Sequence, residues 1–197
     1  MQKKNTMRKL KLQIQMTVDG YIAGPNGEMD WMEWNWDDDL KNYVEALTAP
    51  VDCIVLGRRL AEGFIPHWAN VATTPDNPDF STGKKFTDTH KVVFTKTLQA
   101  SAWKNTTLAK GDLAGEINRL KKEEGGDIIA YGGAVFVSAL IKNRLIDEFH
   151  LFINPTAIGN GMPIFKELES KQALTLINAT AFKCGISLLN YKPQHYR

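Results

Sequence analysis

The sequence predicts an α/β protein on a mostly parallel sheet with an antiparallel C-terminal edge. Two observations carry this. Strand-like and helix-like apolar patterns alternate through most of the chain, which implies crossover connections between parallel strands. The last such segment, "ALTLINATAFKCGISLLNYK", instead reads as two long strands in succession, a hairpin that adds an antiparallel edge. With 197 residues, 43% of them hydrophobic and 23% charged, the chain has the size and composition of one soluble domain.

Taken in order, residues 1–7 read as a flexible tail and 8–197 as a single domain. The start, "MQKKNTMRKL", is charged and has no apolar signal-peptide core behind it. "KLKLQIQM" (9–16) alternates apolar and polar residues, the mark of a strand with one buried face. "DDLKNYVEALT" places Leu40, Tyr43, Val44 and Leu47 at helical spacing. "VDCIVLG" (51–57), "HKVVFT" (90–95) and the weaker "TTLA" (106–109) are short strands. "DLAGEINRLKKEE" sets Leu113, Ile117 and Leu120 on one helix face, with Asp112 as its cap. "DIIAY" is a strand, "AVFVSALIKN" a helix and "DEFHLFIN" (147–154) a strand. The total is about eight strands and four helices. Residues 64–89, "FIPHWANVATTPDNPDFSTGKKFTDT", resist assignment beyond a short helix near Lys84–Thr87. A connection of that length is expected to be functional or mobile.

Lys plus Arg number 24 and Asp plus Glu 22, and this balance gives no bulk pull toward nucleic acid or membrane. No run is long enough to span a bilayer. Cys53 and Cys184 lie in apolar strand-like runs and read as buried free thiols of a reducing cytoplasm. The histidines at 67, 90, 150 and 195 share no ligand spacing, so no metal site is expected. Neither a G-x-S-x-G elbow nor a cysteine-protease signature occurs.

Chemistry concentrates where strands end. In "DIIAYGGAVF" a strand stops at Gly132 and Gly133 and a helix opens at once. Without a Cβ, backbone can approach a ligand closely. The free N–H groups of a helix's first turn favour an anion such as a pyrophosphate. Taken alone, the pair serves a tight turn or close packing equally well, and the G-x-G-x-x-G fingerprint is absent. "CIVLGRRLAEGF" ends a strand at Gly57 and follows with Arg58 and Arg59, planar donors suited to phosphate. Arg59 by itself reads as a solvated side chain. "VVFTKT" sets Thr95, Lys96 and Thr97 at the end of a third strand. Three strands ending this way point to one elongated, phosphate-bearing ligand along the carboxyl edge of the sheet.

The stretch "MTVDGYIAGPNGEMDWMEWNWDDDL" (16–40) holds Asp19-Gly20, Gly24-Pro25 and Asn26-Gly27, a mobile loop of the kind that closes over sites. Trp31, Trp34 and Trp36 are expected to anchor it on the core rather than stack on a ligand. Asp37 is the natural cap of the following helix and Asp38 looks into water. Asp39 lies about 90° from the apolar face, at a boundary from which a carboxylate can look into a cleft.

Together these stretches resemble the dihydrofolate reductase superfamily, more closely the reductase domain of bifunctional riboflavin-biosynthesis proteins and its stand-alone relatives, over about residues 8–192. "LQIQMTVDGYIAG" is similar to the family's first strand and Asp-Gly loop, and "LGRRLAEGF" to its Gly-Arg strand end. "IIAYGGAVFVSALIKNRLIDEFHLFINPTAIGNGMPIF" is similar to its most specific stretch, and "WNWDDDL" resembles the Trp-Asn segment before the helix carboxylate of dihydrofolate reductases proper. The resemblance implies a three-layer fold with a mixed eight-stranded sheet, and NADPH as cofactor. It implies that Gly132 and Gly133, flanked by Tyr131, Ala134 and Val135, take the pyrophosphate. Gly57, Arg58 and Arg59 would lie near the adenosine phosphates, with Thr95, Lys96 and Thr97 beside the adenine ribose and its 2′-phosphate. The loop from Thr17 to Gly24, with Ile22 and Ala23, would border the nicotinamide. Asp39 matches the substrate carboxylate, with Trp34 and Asp19 nearby.

The chain has Leu60 where dihydrofolate reductases have a threonine after Gly-Arg-x, and it lacks the zinc-dependent deaminase half of the riboflavin proteins. The resemblance implies hydride transfer to a pterin-like or pyrimidine-like small molecule. A non-enzymatic nucleotide-binding or interaction protein on the same fold is the rival. Family members pair as dimers, and Leu174, Leu176, Ile186 and Leu188 at alternate positions lead to the expectation of a homodimer.

Overall fold

The computed structural model describes residues 7–194; the expected tail, apart from exposed Met7, and His195 lie outside the described residues. The chain runs β1 (Leu10–Thr17), α1 (Asp38–Thr48), β2 (Val51–Gly57), α2 (Arg58–Val71), α3 (Phe80–Asp88), β3 (His90–Phe94), β4 (Thr106–Ala109), α4 (Leu113–Lys122), β5 (Asp127–Ala130), α5 (Ala134–Lys142), β6 (Glu148–Asn154), β7 (Leu174–Ala181) and β8 (Ser187–Pro193). One eight-stranded sheet has the order β4-β3-β2-β5-β1-β6-β8-β7. Its pairs are parallel except β6–β8 and β8–β7, the antiparallel edge that the C-terminal hairpin predicts.

Alternation along the strands gives the sheet two faces, both covered by helices. On one, Leu12 and Ile14 of β1, Val55 of β2 and Ile128 of β5 pack with Ile117 of α4 and Val137 and Leu140 of α5. On the other, Ile54, Leu56 and Ile129 meet Ala61 and Ile65 of α2, with Phe86 of α3 against them. Phe152 and Leu188 meet Leu40 and Leu47 of α1 on that same side. The result is a three-layer α/β/α domain.

Four expectations change. The unassigned 64–89 stretch is mostly helical: α2 continues through Pro66 to Val71, and α3 fills Phe80–Asp88. Pro66 reads as a breaker and hides the period of Ala61, Ile65 and Trp68 around it. Ile186 and Leu188 lie in the core under α1, so they are not outward groups for a dimer contact. Cys53 is buried, and burial pushes its thiol up to about 11, but Cys184 is only half-buried. Finally, β1 is a central strand between β5 and β6, and its polar side is only partly open: Lys11 is buried against α1 and Gln13 and Gln15 are partly exposed.

Two buried ionic groups fix helices to this sheet. Lys91 is 2% exposed, and its ammonium donates to the carbonyls of Phe86 (2.9 Å), Thr87 (2.9 Å) and Thr89 (2.6 Å). It thus caps the end of α3, where carbonyls lack helical partners. Under α1, the ring of His150 bonds Tyr43 (2.8 Å) and Asn190 (2.8 Å) through Nδ1, and Nε2 lies 3.5 Å from Glu148. A proton on Nε2 leaves Nδ1 to accept from both partners. The His150 hydrogen bond, opposed by burial and helped by Lys9 and Lys192, holds the Glu148 carboxyl down at about 2.

A carboxyl depressed on folding stabilises the fold above its unfolded pKa and loses that contribution as pH falls toward the folded value. Stability should therefore decline between about pH 4.5 and pH 2, by up to about 3 kcal/mol from this group. Urea midpoints measured across that range for the native chain and for Glu148→Gln check it: the variant should show a shallower acid slope, and parallel slopes would rule the pair out as its source.

Candidate active site

Parallel strands β3, β2, β5, β1 and β6 all end at one edge of the sheet. Topology thereby gathers Thr95, Gly57, the glycine pair, Thr17 and Asn154 along a single line. β2 and β5 are neighbours, so α2 and α5 open side by side. Neither helix has a side-chain cap; their N-cap positions are Gly57 and Gly133. By contrast, α1 and α4 are capped by the carboxylates of Asp37 and Asp112. First-turn N–H donors are thus left for an outside partner where the anion was expected.

The three glycines of this edge have three different reasons. A Cβ on Gly57 would lie 2.8 Å from the Cβ of Phe136, so close packing of β2 against α5 demands glycine there. Gly133 sits at φ +89°, a conformation side chains avoid. Gly132 has neither reason. A Cβ built on it would meet only Leu60 at 3.9 Å and Ile14 at 4.0 Å, ordinary contacts. The protein's own packing does not explain this glycine.

Two of the cationic candidates, Arg58 and Lys96, are engaged within the chain. Arg58 pairs with Glu62 at 2.6 Å, and Arg59 is exposed. Lys96 donates to the carbonyls of Lys110 (3.0 Å) and Gly111 (2.9 Å). Thr95 is buried, and its hydroxyl accepts from the N–H groups of Thr97 and Leu98, each at 3.1 Å. Arg58 and Lys96 would have to exchange those partners to meet a phosphate, whereas Arg59 is exposed.

The Asp-Gly loop is stitched down rather than free. Val18 N–H bonds the Thr156 carbonyl (2.8 Å), Ile22 N–H bonds Met162 (3.0 Å), and Met162 N–H bonds Ala23 (2.8 Å). Asp19 accepts from the N–H groups of Ile158 (3.1 Å) and Gly159 (2.7 Å). The Thr17 hydroxyl first, then those backbone donors, hold its carboxyl below the usual carboxylate range. Asp19 therefore clamps two loops together. Trp31 is buried, and Trp36 packs beside α1 and donates to the Glu33 carbonyl (2.8 Å). Trp34 does not anchor the loop on the core; it is 70% exposed.

Asp37 caps α1 as expected, accepting from Leu40 N–H (2.9 Å) and also from Cys184 N–H (2.9 Å). Asp39 is exposed, in the first turn of α1. It lies one turn before Tyr43, on the flank of α1 that meets His150 and Phe182. The other flank, at Thr48, meets Lys85 of α3.

Sequence reasoning missed the floor of the site. Gln13 and Gln15 are on the polar side of β1, and both keep partial exposure although β1 is central. Gln15 accepts from the amide of fully buried Asn154 (2.7 Å), whose own oxygen accepts from Glu33 N–H (2.9 Å). The side-chain oxygen of Gln13 is buried with no partner among the described residues. By register Gln13 stands beside His150 on β6, and one residue past the β1–β5 ladder it faces Tyr131. Tyr131 stacks on Phe64 at 5.3 Å. The signal was available: strict alternation in a strand that the topology places at the centre. A separate apolar cavity of about 230 Å³, lined by Phe64, Trp68, Phe86 and Trp103, lies on the β3–β4 flank, away from the glycine edge.

Comparison with known proteins follows the same line. The family described as RibD C-terminal domain matches residues 8–188. The uncharacterized protein YyaP of Bacillus subtilis (strain 168) is 30% identical over 186 residues, covering 93% of this chain and 94% of that one. A crystal structure from Shewanella sp. PV-4, of a protein named for riboflavin biosynthesis, superposes with a TM-score of 0.69 at 25% identity, covering 96% of this chain and all of the other. The diaminohydroxyphosphoribosylaminopyrimidine deaminase/5-amino-6-(5-phosphoribosylamino)uracil reductase of Thermotoga maritima superposes with a TM-score of 0.68 at 17% identity. That match covers 95% of this chain and 57% of the longer protein.

Proposed function

The chain belongs to the RibD C-terminal domain family, and from that premise we propose that it is an NADPH-dependent reductase of a pyrimidine-like or pterin-like small molecule. The observation that carries the reading is Gly132, a glycine without a packing or conformational reason, between two uncapped helix starts. Gly132, Gly133 and the first-turn N–H groups of Ala134 and Val135 would hold the pyrophosphate. Arg58, Thr95 and Lys96 would serve the adenosine end, and the clamped Thr17–Gly24 segment would border the nicotinamide. Hydride donation is the chemistry NADPH supplies when bound.

The chain's own part is to orient the acceptor and keep water out. Gln13 and Gln15 offer neutral donors and acceptors, which match the N–H and C=O edge of a lactam-like ring better than an ionised one. Trp34 offers an exposed ring on the segment that follows the Asp-Gly loop. Asp19 has its oxygens taken by backbone N–H groups, and Asp39 lies exposed in the first turn of α1. One observation favours nucleotide binding without turnover: among the described residues no carboxylate bonds to Gln13 or Gln15. Both readings require NADPH to bind.

Calorimetric titration with NADPH tests the cofactor. NADPH consumption with 5-amino-6-(5-phosphoribosylamino)uracil, and with dihydrofolate, tests the reaction. Binding with turnover of one of them is expected. Binding without turnover of either would move the chain to the second reading, and no binding would end both. Among the described residues no helix is long and apolar enough to cross a membrane. The protein is expected to act as a homodimer.

A further inference from the structure

The length of the 64–89 stretch leads to the expectation of a function, yet it supplies none of the strand-end groups of the candidate active site. It builds most of the apolar cavity on the β3–β4 flank instead. Phe64 and Trp68 of α2 and Phe86 of α3 line that cavity, and Trp103, from the segment before β4, completes it. The rings pack on one another, with centroids 4.7 Å apart for Trp68 and Phe86 and 5.2 Å apart for Phe64 and Phe86. The space measures about 230 Å³. An apolar cavity of about 150 Å³ is enough to take benzene, so this one has room for two fused rings.

Two contacts keep the helix pair from closing on this space. At Gly83 of α3 a Cβ would lie 2.7 Å from the Val71 side chain and 2.8 Å from the backbone of Ala72, so the two helices already touch there as closely as backbone allows. Past the end of α3, Lys91 holds the carbonyls of Phe86, Thr87 and Thr89. With α3 pinned at both places, the dispersion contacts that an empty space forfeits are not recovered by a slide of the helices.

Charge narrows the occupant. Among the described residues, the buried lysine and arginine side chains are Arg8, Lys11, Lys91 and Lys121. Arg8 pairs with Asp52, Lys11 with Asp127 at 2.8 Å and Lys121 with Asp147 at 2.6 Å. Lys91 has no carboxylate at ion-pair distance among the described residues; exposed Asp88 acts on it only from farther off. Its three carbonyl partners at the end of α3 offset part of the charge without cancelling it. Lys91 lines the cavity, and so does Lys104, whose side chain is exposed. An uncancelled ammonium beneath an apolar space is poorly screened and favours an anion there.

We propose that this cavity is a second binding site, for a planar aromatic molecule of one or two rings that carries a carboxylate or a similar anionic group. The rings stack among Trp68, Phe86 and Trp103, and the anionic group lies toward Lys104 and Lys91. The inference is independent of the reductase reading.

Calorimetric titration with naphthoate, and with naphthylmethanol as its uncharged counterpart, tests it. The native chain should bind naphthoate roughly tenfold more tightly than the alcohol. Lys104→Gln should weaken naphthoate roughly threefold and leave the alcohol unchanged. Ala69→Leu fills the cavity from α2 and Ala102→Leu fills it from the segment before β4. Each should abolish binding of both probes with an unchanged melt, since neither alanine is buried, and either variant suffices if the other fails to fold. NADPH in the cell should leave naphthoate binding intact. A native chain that does not bind naphthoate, or that binds the alcohol as tightly, would overturn the proposal. Binding that survives both leucine variants, or that NADPH displaces, would also overturn it by placing the probe elsewhere.

Discussion

Gly132→Ala should lose NADPH without losing the fold. A new Cβ meets only ordinary contacts at 3.9 Å and 4.0 Å, so the melting temperature should move by no more than about 2 °C. The same methyl would stand where the pyrophosphate must approach backbone and the N-terminus of α5. NADPH dissociation constants should rise roughly tenfold to a hundredfold, or about 1.4–2.8 kcal/mol. Gly133→Ala is the informative contrast. Its φ of +89° disfavours any side chain, so stability should fall by about 1–2 kcal/mol along with binding. Calorimetric titration beside a thermal melt reads both quantities. A Gly132→Ala protein that binds NADPH normally would mean that the glycine serves the turn alone, and the cofactor assignment would lose its main support.

The largest stability effect is expected at Lys91. Burial pulls its ammonium below the usual lysine range, yet three carbonyls at the end of α3 hold it in place. Lys91→Met keeps the stem and removes the charge, so those buried carbonyls lose their common donor. Hydrogen bonds to a charged group contribute about 1.5–3 kcal/mol each, and stranded acceptors add a desolvation cost. The variant should lose roughly 3 kcal/mol or more, which lowers the melting temperature by about 6–12 °C for a chain of this size. Urea unfolding with an unchanged slope would confirm a native-state loss. A melt within about 1 °C of the native chain would show that α3 re-forms its cap without this group.

Much of the fold was legible because burial imposes period on sequence. β2, β5 and β6 are short apolar runs, and Asp37 and Asp112 mark helix starts with a carboxylate that accepts from the third residue on. What failed has physical causes. Pro66 inside α2 reads as a stop, but a proline lacks only its own donor and α2 carries it. The Asp-Gly loop reads as mobile because its glycines are local. Its bonds to Thr156 and Met162 come from a distant segment that no local pattern announces.

Asp39 shows the limit most plainly. A helical wheel places it at the boundary of the apolar face, but every helix has two such boundaries. Only tertiary contacts, His150 and Phe182 on one flank and Lys85 on the other, tell them apart. The polar side of β1 shows the converse. Alternation suggested a solvent face, and the topology turned that face inward, so Gln13 and Gln15 became the floor of a cleft.

The contact between Gly57 and Phe136 has a consequence for how this chain can change over generations. The two positions are far apart in sequence, yet one cannot acquire a Cβ while the other keeps its own, since the two Cβ atoms would sit 2.8 Å apart. Their substitutions are therefore ordered. Glycine must come first at 136, because every other residue keeps that Cβ, and only then does position 57 open to alanine or serine. The reverse order passes through an overpacked intermediate costing roughly 1–3 kcal/mol. Two single changes at these sites would not add, and the route between any two functional sequences differing at both runs through one of the two possible intermediates.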